Sequence, residues 1–155
     1  MRSKNVAKKW YVPARILTGV LLISLVLFAI YDVWYNLKRR EELCKVIEDR
    51  KLAESIHTAV LTSLMDPEIV NNSKYAEAFE ALTTETDITQ YWGDGNCILT
   101  KTVEVLDLDS LCQLRGMLKS SGATGHVLVT LTGPNNVYVV LEGTKTDEGE
   151  ITVSN

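Results

Sequence analysis

A long apolar run near the N-terminus, a charged helical repeat behind it and alternating strands towards the C-terminus predict an α+β protein. The expected order is one transmembrane helix continuing into a helical stem, then a small antiparallel sheet covered by helices. Between Ile16 and Tyr31 no residue is charged, and only Thr18, Gly19 and Ser24 are neither aliphatic nor aromatic. A helix crossing the hydrocarbon needs about 20 apolar residues. Tyr11, Val12 and Ala14 lengthen the run on one side and Val33 to Leu37 on the other. Arg15 and Asp32 then fall near its two edges, within reach of the interface. Trp10 and Tyr11 flank one end, and Tyr31, Trp34 and Tyr35 the other, as in an aromatic belt. A soluble amphipathic helix would carry polar residues down one face, and this segment carries none.

A cleaved signal peptide would share the basic start and the apolar run. This run is long for such a region, no small-x-small site follows it, and aromatics and Asp32 occupy the place of cleavage. An uncleaved signal anchor fits better. Residues 1–40 carry eight Lys/Arg against one acidic residue, +7, and residues 41–155 carry eight against nineteen, −11. Flanking cations are nearly balanced (Arg2, Lys4, Lys8, Lys9 and Arg15 before; Lys38, Arg39, Arg40 and Lys45 after), so the positive-inside rule favours a cytoplasmic N-terminus only by a small margin. A basic stub inside and an acidic domain outside is the simpler topology. The expected organisation is therefore a basic cytoplasmic tail over 1–12, a transmembrane helix over 13–37, a helical stem over 38–66 and an extracytoplasmic α+β domain over 67–155.

About 115 residues follow the span, enough for one modest core. From Asn36 to Leu64 the pattern continues the helix: Leu43, Ile47, Ile56, Val60 and Leu64 recur at roughly helical spacing among charges. This stretch reads equally as a stalk or as a helix lying on its own domain. Pro67 ends it at Met65–Asp66. A second helix is expected from Ser73 to about Thr83, with Tyr75, Phe79 and Leu82 on one stripe. Tyr91 and Trp92, beside Gly93–Asn96, form either an exposed recognition loop or a pair tucked under its own turn. Cys97–Leu106 alternates, with Leu99, Val103 and Val105 opposite Thr100, Thr102 and Glu104, and predicts a strand. Asp107–Ser110 supplies caps for a short helix, LCQLRGMLKSS, striped by Leu111, Leu114 and Leu118 and closed by Lys119 and Gly122. HVLVTLT and VYVVLEG flank Gly133–Asn136, expected as a four-residue hairpin, and Ile151–Val153 is a last strand. Strand, helix and three-strand meander make up the expected α+β domain.

Chemistry-bearing patterns are sparse. His57 and His126 lack companions at ligand spacing, so neither a metal nor a cofactor is expected, and both rings are expected in solvent. No serine has a nucleophile-elbow context, and GDGN and GPNN read as turns rather than phosphate cradles. Asp107 and Asp109 read as caps. The acidic domain argues against nucleic acid, and nothing identifies a small-molecule substrate. Asn71–Ser73 matches a glycosylation acceptor, a triplet common by chance.

Cys97 and Cys112 suggest a disulfide that would close a loop of about fifteen residues, worth roughly 3 kcal/mol by loop entropy. The alternative is three reduced thiols, two of them packing as small apolar groups. Cys44 is left near the membrane surface, to pair with a second chain or stay free. Asp32 either snorkels or pairs with a basic residue of a partner span, which would make it an assembly contact alongside Cys44, Tyr91 and Trp92.

The basic start, the apolar helix running into a globular domain and the expected meander resemble a type IVb pilin. The most similar stretch is TKTVEVLDLDSLCQLRGML, because that family often places a cysteine in a short helix after such a strand. The resemblance implies cleavage after Gly19 and polymerisation through the apolar helix. Ser24 stands where the family has a glutamate five residues into the mature chain, and the family's late cysteine is missing. In layout the chain also resembles a T4-type holin, which implies lesions formed by oligomerising spans and gated by the outer domain. The leading expectation is a non-enzymatic, single-pass accessory or structural subunit of a multiprotein envelope complex of secretion, conjugation or pilus type. Its partners would be membrane lipid and other membrane subunits or copies of itself.

Overall fold

The computed structural model describes residues 4–91, 95–146 and 149–154, without the side chains of 4–15 and 145. The chain divides into two compact units, residues 1–41 and 42–155. A single helix, α1 (Lys4–Met65), contributes to both. In the first unit every large apolar side chain from Ile16 to Leu37 is 51–70% exposed. Among the described residues this one helix is long and apolar enough to cross a membrane: its most apolar window has a mean hydropathy of 2.4, and none of that window is buried.

The second unit is the α+β head. Its part of α1 contributes Ala53, Ile56, Val60 and Leu64, spaced three or four apart and all buried in the head's core. Of the two readings of residues 36–64, the helix lying on its own domain describes Val46–Leu64. Asp66 is extended (φ −68°, ψ 122°), as a residue before proline must be, and this ends α1. Its carboxylate accepts the Glu68 amide at 2.8 Å and opens the one-turn α2 (Pro67–Val70). Then comes α3 (Tyr75–Ala81), with Tyr75 and Phe79 half-buried and Leu82 buried just beyond it, the stripe read from the sequence.

Four antiparallel strands follow in the order β1-β2-β3-β4: β1 (Thr86–Asp87), β2 (Val127–Gly133), β3 (Asn136–Thr146) and β4 (Gly149–Ser154). The alternation in β2 and β3 sends Val127, Val129, Leu131, Val137, Val139 and Leu141 into the core, in the facing pairs Val127–Leu141, Val129–Val139 and Leu131–Val137. Ile151 of β4 joins them opposite Leu141. Gly133 pairs with Asn136, so the hairpin loop is the two residues Pro134–Asn135 rather than four. In β3 the register shifts between Leu141 and Lys145, and Gly143 there has φ +78°. A Cβ on Gly143 or Gly122 would collide with the other's carbonyl oxygen, so this close crossing needs two glycines.

The α+β class stands, but its first strand is misplaced in the sequence reading. Residues Cys97–Val105 form a helix, α4, and the strand paired with β2 is the short β1. Asn96 decides this, because its side-chain oxygen accepts the amides of Ile98 (3.0 Å) and Leu99 (3.1 Å) while its Nδ2 donates to the Ala78 carbonyl. The inward set is Ile98, Leu99, Thr102, Val103 and Leu106, a helical period. The expected helix over 111–121 is also shorter. A 3-10 turn at Leu111–Gln113 leads into α5 (Leu114–Met117), and Leu118 is already extended. Asp49 on α1 stops it by taking the amides of Lys119 (2.8 Å) and Ser120 (2.9 Å).

Candidate docking site

A network of polar side chains lies at the β1 edge of the sheet. Asp87 ends β1, Thr89 and Gln90 lie in the 3-10 turn after it, Arg115 projects from α5, and His126 precedes β2. Asp87 Oδ1 accepts the Thr89 amide at 3.0 Å and the Thr89 hydroxyl at 2.6 Å. Asp87 Oδ2 accepts Gln90 Nε2 at 2.8 Å, lies 2.6 Å from His126 Nδ1, and has Arg115 Nη2 at 4.0 Å. Arg115 Nε in turn donates to the Thr89 hydroxyl at 3.1 Å. Burial pushes the Asp87 carboxyl up, but the hydrogen bonds from Thr89, Gln90 and His126 outweigh it and hold the group below the usual carboxylate range. The Asp87 side chain is only 14% exposed, whereas His126 and Arg115 keep 35% and 47%. One half-buried carboxylate thus orients an imidazole and a guanidinium that remain partly exposed to solvent. Such an arrangement presents hydrogen-bond donors at fixed positions to a polar partner.

His126 is therefore not simply solvated, as the sequence reading had it. His57 is not solvated either: it is 8% exposed, and its Nε2 has no hydrogen-bond partner among the described residues. No cue within Asp87, Arg115 or His126 pointed to their meeting, since they are separated by 28 and 11 residues of sequence. Only the pairing of β1 with β2 brings Asp87 to the start of β2.

A second polar cluster joins α1 to the loop after α5. Asp49 holds the two amides named above, Glu42 accepts the Ser121 amide, and Ser120 and Thr144 share a buried hydrogen bond at 3.1 Å. The Ser121 amide bond holds the Glu42 carboxyl below its usual range. The Glu48 carboxylate, 2.7 Å away, raises Lys119.

The residues singled out from the sequence do not converge. Asp32 is exposed in the first unit, where its carbonyl accepts Asn36 Nδ2 at 2.8 Å. Cys44 is exposed on α1. Tyr91 packs against the core, and burial raises its hydroxyl. Trp92 lies outside the described residues. The Cys97–Cys112 bridge is not formed, and all three cysteines are free thiols. The bridge presupposed a strand beside a helix. Instead Cys97 opens α4, in a groove of about 450 Å³ shared with Glu68, Lys74 and Lys101, while Cys112 Sγ turns to the Tyr91 carbonyl at 3.7 Å. Among the described residues no three His, Cys, Asp or Glu side chains gather as metal ligands.

Fold and site together define a small α+β head whose leading helix begins in a segment apolar enough to cross a membrane. No known protein family, curated protein or solved structure matches the chain.

Proposed function

We propose that the protein is a single-pass membrane subunit of a multiprotein envelope complex, with its N-terminus cytoplasmic and its head extracytoplasmic, acting through protein contacts rather than catalysis. The observation that carries this reading is the exposed apolar surface from Ile16 to Leu37. A continuous apolar surface of that extent needs lipid or a partner around it. The +7 and −11 split of charge supports the topology, and the oriented Arg115 and His126 at the β1 edge support a head that docks polar partners. Solubilisation in mild detergent after crosslinking tests it: other gene products are expected in fixed ratio, and a lone monomer counts against it.

One observation favours a second reading, a pilin-like subunit. The helix that starts apolar ends buried in the head's core, which also holds the inner face of the antiparallel meander. Intact mass separates the two. A chain beginning at Val20 in cells carrying the processing peptidase supports the pilin-like reading, and an unprocessed chain removes it.

A further inference from the structure

We propose that Lys38, Arg39 and Arg40, the cations that close the apolar segment, bind the phosphates of anionic phospholipids in the leaflet where that segment ends. The proposal rests on the span reading and names the lipid class it selects.

The observation behind it is a contrast in pairing. Five cations of the head have carboxylates beside them, Lys45 with Glu42, Arg50 with Glu54, Lys101 with Asp66 and Glu104, Arg115 with Asp87 and Lys119 with Glu48, and the exposed Lys51 and Lys74, which do not, stand singly rather than in an unpaired run. Among the described residues, no carboxylate pairs with Lys38, Arg39 or Arg40. Three consecutive helical positions are turned by about 100° each, so the charges spread round the helix as a collar rather than along one face. A collar suits headgroups that surround a helix better than a protein that meets one side of it.

The turn just before the collar has the side chains of a bilayer interface. Tyr31 and Tyr35 stack at 6.4 Å, Tyr31 and Trp34 lie 6.3 Å apart, and Lys38 Nζ sits 4.4 Å over the Trp34 ring. Aromatic rings at headgroup level with a cation held above them set the depth at which the collar meets lipid phosphate. An anionic leaflet attracts each such cation by about 1 kcal/mol, equivalent to about fivefold in lipid affinity.

The test uses the full chain in micelles doped with either phosphatidylglycerol or phosphatidylcholine, with retained lipids counted by native mass spectrometry. Phosphatidylglycerol is expected to be retained preferentially, and binding should weaken about fivefold for each of Lys38→Gln, Arg39→Gln and Arg40→Gln. Lys51→Gln, an exposed cation of the head, should leave retention unchanged. Equal retention of the two lipids, or a triple variant that keeps phosphatidylglycerol as well as the natural chain, overturns the proposal. Carbonate extraction separates this failure from failure of the span: a chain that stays in the membrane without lipid preference overturns the collar alone, and a chain that washes off overturns the span and the collar together.

Discussion

Between Ile16 and Leu37 the large apolar side chains of α1 are exposed on every side, whereas from Val46 to Leu64 one stripe is apolar and the head's core covers it. Both stretches are the same helix. The difference lies in where burial comes from. A helix with one apolar stripe can bury it in its own chain, and one that is apolar all round exceeds what a head of this size can cover. Apolar content alone would rank the first stretch as the better core. Its distribution round the helix says otherwise.

Truncating one side chain in each stretch is the most direct way to break this comparison. Ile56→Ala should destabilise the head by about 2–5 kcal/mol, because it empties a fully buried site. Ile23→Ala, which empties nothing, should leave denaturant unfolding of the full chain in micelles unchanged. Equal effects would mean that the two stretches share one environment. A charge sharpens the contrast from the other side. Leu25→Arg should cost about 3 kcal/mol of membrane insertion. It would be read as loss from the carbonate-resistant fraction, with the head's fold kept.

Within the head, Asp49→Ala should cost about 1–3 kcal/mol by leaving the Lys119 and Ser120 amides unpaired, and hydrogen exchange at those two amides should speed up. Acid should act through the β1 edge. Because folding lowers the Asp87 carboxyl, the unfolded chain binds its proton more tightly, so stability is complete above the unfolded value of about 4 and falls as pH drops below it. Asp87→Asn should flatten that part of the profile. The smallest effect is expected for Lys119→Gln, whose denaturant midpoint should match that of the natural chain, since both Lys119 and its partner Glu48 are exposed.

Much of the fold was legible because it rests on local rules. Pro67 ended α1, Tyr75, Phe79 and Leu82 marked α3, and alternation placed β2 and β3. Residues 97–106 were misread because Leu99, Val103 and Val105 alternate with polar residues and mimic a strand. Ile98 breaks that alternation, and the Asn96 cap held by the Ala78 carbonyl selects the helix. The candidate site was not legible. Asp87, Arg115 and His126 each look ordinary in the chain, and their meaning comes from a shared oxygen.

The sequence by itself determined the apolar segment, its cationic close and the helix and strand periods, because each depends on residues within a few turns of one another. The tertiary structure decided that α1 would finish inside the head, that Cys97 would open a helix, and that one half-buried carboxylate would orient an arginine and a histidine. Those outcomes depend on partners tens of residues away, whose approach is set by packing and by the burial of hydrogen-bonding groups.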